Sequence, residues 1–269
     1  LVEVLVAADE LQPLTVDLAA LKVAASNAAA PVARLSWGDL PLAWAEPYVA
    51  QSKLAGQLVG GTIEVTLPAA DTVAVKANDK ISARGANVSL NGQEWLRGAD
   101  FSTDLSATWK AGTLTADVKQ LELRQGTAPV LTAAFAGEVT PGTKLRATGR
   151  GSVSADFAAL AAQPALAAQL PLLRGTVSAK FDGTMADGVT GKVNISAQNL
   201  VARESARALG SMELAVDAKL DANNTGTVHN SLVVTKDGRR SDILLDGKVG
   251  VKPGLISFDG RVTGDQILV

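Results

Sequence analysis

Apolar and polar residues alternate with a period of two along much of the chain, the pattern of a β-strand with one dry face and one wet face. Met212, Leu214, Val216, Ala218 and Leu220 alternate with Glu213, Ala215, Asp217 and Lys219. Val228, Leu232 and Val234 oppose Thr227, His229, Ser231 and Thr235. The same alternation sets Ile243, Leu245, Val249 and Val251 against Asp242, Asp246 and Lys248, and Ile256, Phe258 and Val262 against Ser257, Asp259 and Arg261. Earlier stretches behave alike: Phe101, Leu105, Ala107 and Trp109 against their polar neighbours, and Val177, Ala179 and Phe181 against Ser178, Lys180 and Asp182. Strands with one buried and one wet face belong to antiparallel sheets.

Turn chemistry falls between these runs. Asn91-Gly92 predicts a two-residue type I′ hairpin, because both residues tolerate positive φ. Asp237-Gly238 predicts a second hairpin with a slightly longer loop, and Asn78-Asp79, Pro141-Gly142 and Asn223-Asn224 mark further reversals. The spacing is that of a meander. Leu114, Ala116 and Val118 are even-numbered, whereas Leu121 and Leu123 are odd; one extra residue near Lys119-Gln120 restores a common face, so a β-bulge is expected there. A similar slip falls between Leu18 and Leu21.

Two segments break the alternation. Leu40–Ala55, introduced by Asp39, and the alanine-rich Asp156–Leu173, with Asp156 as N-cap and a break at Pro164, read as short helices. Each runs into a glycine and then a strand, at Gly56 and Gly175, which gives a loose internal repeat of units at about 40–154 and 155–269 within one continuous segment, 1–269.

Composition removes whole classes of function. Lys and Arg number 25 against 27 Asp and Glu, too balanced for a phosphate-neutralising surface, so no nucleic-acid partner is expected. Cysteine is absent and histidine occurs once, which excludes disulfides, thiolate metal sites and multi-histidine chemistry. His229 lies on the polar side of its strand, and no G-x-S-x-G elbow accompanies it. Asp221-Ala222-Asn223-Asn224-Thr225-Gly226 starts like a calcium loop, but Leu232 holds the twelfth position, so a hairpin turn is expected. Gly149-Arg150-Gly151 lacks the third glycine of a dinucleotide fingerprint, and Arg239-Arg240 reads as a solvated pair. Trp109 is in phase with Phe101 and Leu105 and reads as core; Trp44 reads as the anchor of its helix, and Trp37 and Trp95 as strand-closing residues. No catalytic residue, metal ligand or cofactor emerges, and no run approaches the roughly 18 apolar residues of a membrane span. The absence of an initial Met and the apolar ending at Gln266-Ile267-Leu268-Val269 are expected of a piece of a longer protein. What remains is a surplus of apolar strand faces over the helices able to cover them. Such faces close on one another, meet a partner or hold something greasy.

The stretch from Asp156-Phe157-Ala158-Ala159-Leu160 to Leu170-Pro171-Leu172-Leu173-Arg174-Gly175-Thr176-Val177-Ser178 resembles the repeating core of the AsmA-like family. Leu40-Pro41-Leu42-Ala43-Trp44 through Leu54-Ala55-Gly56 is a looser match, and Phe258-Asp259-Gly260-Arg261-Val262 looks like the start of another. The resemblance implies a non-enzymatic periplasmic segment in a Gram-negative envelope. Its full-length protein would be held at the inner membrane by an anchor outside this chain, would carry phospholipid acyl chains between the inner and outer membranes, and would meet an outer-membrane protein partner. The expected fold is mainly β: a long antiparallel meander curled into a taco-like apolar groove, with two short helices. Its lining would be the apolar phase of the C-terminal strands: Val177, Phe181, Leu214, Val216, Leu232, Val234, Ile243, Leu245, Ile256 and Phe258. The alternative is a closed β-sandwich serving as a structural or adhesive module of a cell-surface protein.

Overall fold

A computed structural model describes residues 14–17, 22–167, 169–252 and 255–265. Among them are eighteen strands and three short helices, and the class is mainly β, antiparallel and open. The chain forms two compact units. The first runs to Ala128 and includes Ala134–Thr140 and Gln163–Ala165; the second holds Pro129–Ala133, Pro141–Ala162 and the chain from Leu166 onward.

The first unit contains β1 (Leu14–Asp17), β2 (Lys22–Ala25), β3 (Pro31–Trp37), β4 (Leu40–Pro41), a 3-10 helix (Leu42–Tyr48), β5 (Ser52–Leu58), β6 (Gly61–Ala69), β7 (Thr72–Ala77), β8 (Ile81–Leu90), β9 (Gln93–Lys110) and β10 (Thr113–Gln125). β1 and β2 pair with each other. The remaining strands follow the order β3-β6-β7-β9-β10, with β4-β5-β8 joining the same long β9. The expected plain meander is therefore interrupted here. β9 spans 18 residues and takes β8 along its first part and β7 along its second. β11 (Ala128–Thr140) contributes to both units.

The second unit is a meander: β12 (Arg146–Asp156), α1 (Phe157–Ala161), α2 (Pro164–Ala167, shared with the first unit), β13 (Leu172–Met185), β14 (Val189–Ala202), β15 (Ala208–Leu220), β16 (Thr225–Lys236), β17 (Arg239–Lys252) and β18 (Leu255–Asp265). From β12 to β18 each strand pairs antiparallel with the next. Among the described residues β18 pairs with β17 alone, so this sheet ends in an edge and the closed-sandwich alternative does not hold.

Local chemistry accounts for these elements. Asn91-Gly92 closes a two-residue turn at the Leu90–Gln93 pair, with φ of 52° and 78°. Asp237-Gly238 does the same at Lys236–Arg239, with φ of 51° and 74°, so its loop is the minimal one and not a longer one. The β9–β10 register skips Lys119, between Val118 opposite Leu105 and Gln120 opposite Asp104; this is the bulge the parity change requires. The slip expected between Leu18 and Leu21 lies outside the described residues.

Asp156 caps α1 by accepting a hydrogen bond from Ala159 N at 3.0 Å, and the helical segment breaks before Pro164. The segment read as a helix over Leu40–Ala55 shortens to Leu42–Tyr48. Asp39 does not cap it; its carboxylate accepts from Gly60 N at 2.8 Å, Pro41 stands at the cap, and Glu46 accepts from Leu54 N at 2.7 Å, which leads the chain into β5.

Gly56 and Gly175 occupy equivalent places in the two units. Each falls at a register break in the strand after the helix, between Ala55 and Gln57 and between Arg174 and Thr176, with φ of +109° and +128°. A Cβ would lie 2.7 Å from Arg84 O at Gly56 and 2.9 Å from Gln198 O at Gly175. Only glycine combines that φ with so close an approach of the neighbouring strand.

Large side chains fill little of the core. Nine hydrophobic residues are buried among those described, and six are alanines: Ala77, Ala83, Ala86, Ala99, Ala165 and Ala197. Trp109 is in phase with Phe101 and Leu105 as expected, yet it is 42% exposed, and Trp44 is 57% exposed. Neither acts as a core anchor, because each keeps a large part of its ring in water. Trp37, by contrast, is tied down by donating Nε1–H to Val59 O at 2.9 Å.

Candidate functional site

Directly paired residues in an antiparallel ladder point to the same face, so the register sorts every side chain of the second unit. One face collects Val177, Ala179, Phe181 and Met185 from β13, then Val189, Val193 and Ile195 from β14 and Met212, Leu214 and Val216 from β15. It continues through Val228, Leu232 and Val234 on β16, Ile243, Leu245 and Val249 on β17, and Ile256, Phe258 and Val262 on β18. All ten residues proposed from the sequence stand on this one face. Leu214, Leu232 and Ile243 form a rung of direct neighbours, and Val216 and Leu245 flank Asn230 in the next. Val193, Ile195, Val228, Val249 and Val262 belong to the same surface and were missed as lining, although their parity in the sequence marks them.

The face is half-covered. Val177, Leu214, Val216, Leu232, Val234, Ile243 and Leu245 are partly exposed, Phe181 and Phe258 more so, and Ile256 and Val262 reach 73% and 62% exposure. Interior relief comes from glycine. Gly149, Gly183, Gly191, Gly247 and Gly260 align in a single rung with Ala218 and Val228. Successive rungs on one face are about 6.8 Å apart, so this low lane separates two bulkier rungs by roughly 14 Å. At its β17–β18 end the Phe258 ring folds over the lane, where a Cβ on Gly247 would come within 2.6 Å of it.

Two polar residues interrupt the apolar face. Ser241 is 3% exposed. Asn230 lies between Val216 and Leu245, and its Oδ1 is buried with no hydrogen-bond donor in reach among the described residues.

The opposite face is polar and carries an alternating row of basic and acidic residues across all seven strands: Arg150, Asp182, Lys192, Asp217, His229, Asp246 and Arg261 are successive cross-strand partners. Lys192 Nζ sits 3.1 Å from Asp217, and His229 Nδ1 meets the Asp246 carboxylate. The row has a physical use. A one-residue slip exposes the apolar set, but a two-residue slip preserves the faces; the order of basic and acidic residues then helps the turns to select the right register. His229 is thus accounted for as a member of a cross-strand row. The other notable charges are also local: Arg240 binds Asp242 at 2.9 Å and holds its carboxyl below the usual range, and Lys144 does so for Asp187. Asp221 serves its turn, accepting from Thr225 N, Thr225 Oγ1 and Asn223 N, and those bonds lower its pKa. Its oxygens are engaged by the hairpin, in keeping with the turn reading.

A hollow of about 820 Å³ on the polar side, bordered by Asp156, Arg174, Gln198, Ser211 and Glu213, is mixed in charge and contains no histidine. Among the described residues no helix is long and apolar enough to cross a membrane. The first unit repeats the one-sided design in its own sheet: Ala33, Val65, Val75, Ala107 and Ala116 follow one another across β3, β6, β7, β9 and β10 on one face, with Arg34 paired to Glu64 at 2.8 Å on the other. The Asn78 side chain and Arg34 together hold the Glu64 carboxyl below its ordinary value.

No family model, curated protein or solved structure matches this chain.

Proposed function

We propose that this chain is a non-enzymatic lipid-shielding segment, in which the apolar sheet face takes up phospholipid acyl chains and leaves the headgroups to water. The observation that supports this reading is the partly exposed apolar face over six strands, β13–β18, set against a polar face with an ordered row of basic and acidic residues. The energetics suit passage better than storage. Burial contributes about 0.8 kcal/mol per CH₂, so half-covering a sixteen-carbon chain is worth on the order of 6 kcal/mol relative to water. A bilayer covers the same chain fully, so release into a membrane is downhill and uptake needs a donor. The low glycine lane gives an acyl chain a path across the strands without any single tight site.

In keeping with the AsmA-like resemblance, we place the segment in the periplasm of a Gram-negative envelope. There it would lie between an inner-membrane anchor elsewhere in the protein and an outer-membrane protein partner, with phospholipid as cargo and no cofactor.

The test is uptake of a fluorescent short-chain phospholipid presented as monomer in water, the reference against which half-covering the chain is favourable. Leu214→Asp and Val216→Asp place charge on the face and are expected to abolish uptake, whereas Lys219→Asp on the polar face leaves it intact. Equal uptake by all three, or none by the unaltered chain, defeats the proposal; the second result would favour a structural or adhesive module.

A further inference from the structure

Phe181, Val193, Val216, Asn230, Leu245 and Val262 are successive cross-strand neighbours from β13 to β18, and Asn230 is the sole polar member of that rung. Along β16 the same face otherwise carries Val228, Leu232 and Val234. Asn is depleted in strands, and here it also leaves a buried oxygen unmet, so it lowers the stability of the sheet it stands in. A residue that breaks the local rule with no gain to the fold is expected where the chain has a function.

The two ends of the amide differ. Oδ1 is shut in, with no donor among the described residues. Nδ2 meets no acceptor among them either, but it is not enclosed as Oδ1 is, and Asn230 as a whole is partly exposed. The amide therefore offers an N–H donor to an occupant of the apolar face. Its neighbours leave that occupant one approach. On one side stands the bulky rung of Leu214, Leu232 and Ile243. On the other lies the low lane, where the Phe258 ring folds over Gly247 on β17 while only Ala218 stands on β15. The way in is open along Ala218 and, beyond it on β14, Gly191.

Hydrocarbon has no use for an N–H donor. An acyl lipid has one at the head of each chain, where the ester carbonyl oxygen accepts a hydrogen bond and has no proton to give. We infer that Asn230 is the positioning residue for the acyl ester, donating from Nδ2 to the carbonyl oxygen so that the chain runs over Ala218 and Gly191. This assignment rests on the lipid-shielding reading and narrows its ligand to ester-linked lipids over ether-linked ones. One neutral hydrogen bond is worth about 2- to 10-fold in affinity, which marks a position on the face without turning it into a trap.

The test compares binding of a short-chain diacyl phosphatidylcholine and of its dialkyl ether analogue, both as monomers in water. The proteins are the unaltered chain, Asn230→Val and, as a change on the polar face, Leu244→Asn. Comparing the ester-to-ether affinity ratio between chains cancels the difference in hydrophobicity between the two lipids. The ratio should fall about 2- to 10-fold in Asn230→Val and stay unchanged in Leu244→Asn. A merely structural Asn230 would move both lipids together. With an isotope-labelled ester carbonyl, the infrared band of the bound lipid should lie at higher frequency on Asn230→Val than on the unaltered chain, because its hydrogen bond is lost. If neither lipid binds the unaltered chain, the shielding reading falls and this assignment with it. If both bind but the ratio is the same with Asn230 and with Val, or the carbonyl band stays in place, the assignment alone is overturned.

Discussion

Replacing Asn230 by Val tests the register of the apolar face at its most costly point. Asn230 lies opposite Val216 on β15 and Leu245 on β17, and its buried Oδ1 meets no donor among the described residues. A buried, unsatisfied polar group costs about 1–3 kcal/mol. Asn is also depleted in strands where Val is favoured, a difference of up to roughly 1 kcal/mol. Asn230→Val removes both costs while putting a similar volume between Val216 and Leu245. The gain is expected at about 1–3 kcal/mol, a rise in melting temperature of roughly 2–10 °C for a cooperative unit of this size. Thermal unfolding followed by circular dichroism, with urea unfolding at a constant m value, reads it. An unchanged or lowered melting temperature would show that Asn230 has a partner or faces water, and the face assignment across β15–β17 would be wrong. Leu244→Asn, on the polar face of the same sheet, gives the contrast: Leu244 is 40% exposed, so a shift within about 0.5 kcal/mol is expected.

Other consequences follow from particular residues. Deleting Lys119 should remove the β9–β10 bulge and leave Leu121 and Leu123 in phase with Val118, costing less than about 1 kcal/mol, whereas deleting Ala215 inverts half of β15 and should prevent folding of the second unit; soluble yield and urea midpoints separate the two. Gly175→Ala forces a Cβ against Leu200 and Gln198 O at a φ of +128°, and should destabilise the unit by about 2 kcal/mol or more in the same melts. Asp221 is more acidic in the folded chain than when unfolded. Its contribution is therefore present above the unfolded carboxylate pKa of about 3.9 and is lost as pH falls through the lower folded value; amide exchange at the β15–β16 turn should quicken there, and Asp221→Ala should remove that pH dependence.

What could be read from the sequence was local. The strand faces, the bulge at Lys119, the Asn91-Gly92 turn and the Asp156 cap depend on residues within one or two elements: apolar parity marks the faces and the bulge, and the side-chain chemistry of Asn-Gly and Asp marks the turn and the cap. The joining of β7 and β8 to opposite ends of β9 was hidden, because alternating strands of similar composition pair equally well with several neighbours. The same gap concealed the charge row, since Arg150 and Arg261 stand 111 positions apart and become part of one line only through six successive registers. Trp44 and Trp109 misled for another reason: phase gives the face of a side chain, and whether that face is covered depends on what packs above it. The expected lining passes over β14, although Val193 and Ile195 alternate with Lys192, Asn194 and Ser196 as clearly as their neighbours do.

The central claim is that the apolar face holds acyl chains, and native mass spectrometry of the purified chain after exposure to a short-chain phospholipid dispersed as monomer in water addresses it directly. The account predicts adducts of phospholipid mass on the unaltered chain, lost in Val216→Asp and kept in Lys219→Asp. A chain that stays free of lipid in all three, with its fold verified by circular dichroism, would contradict it.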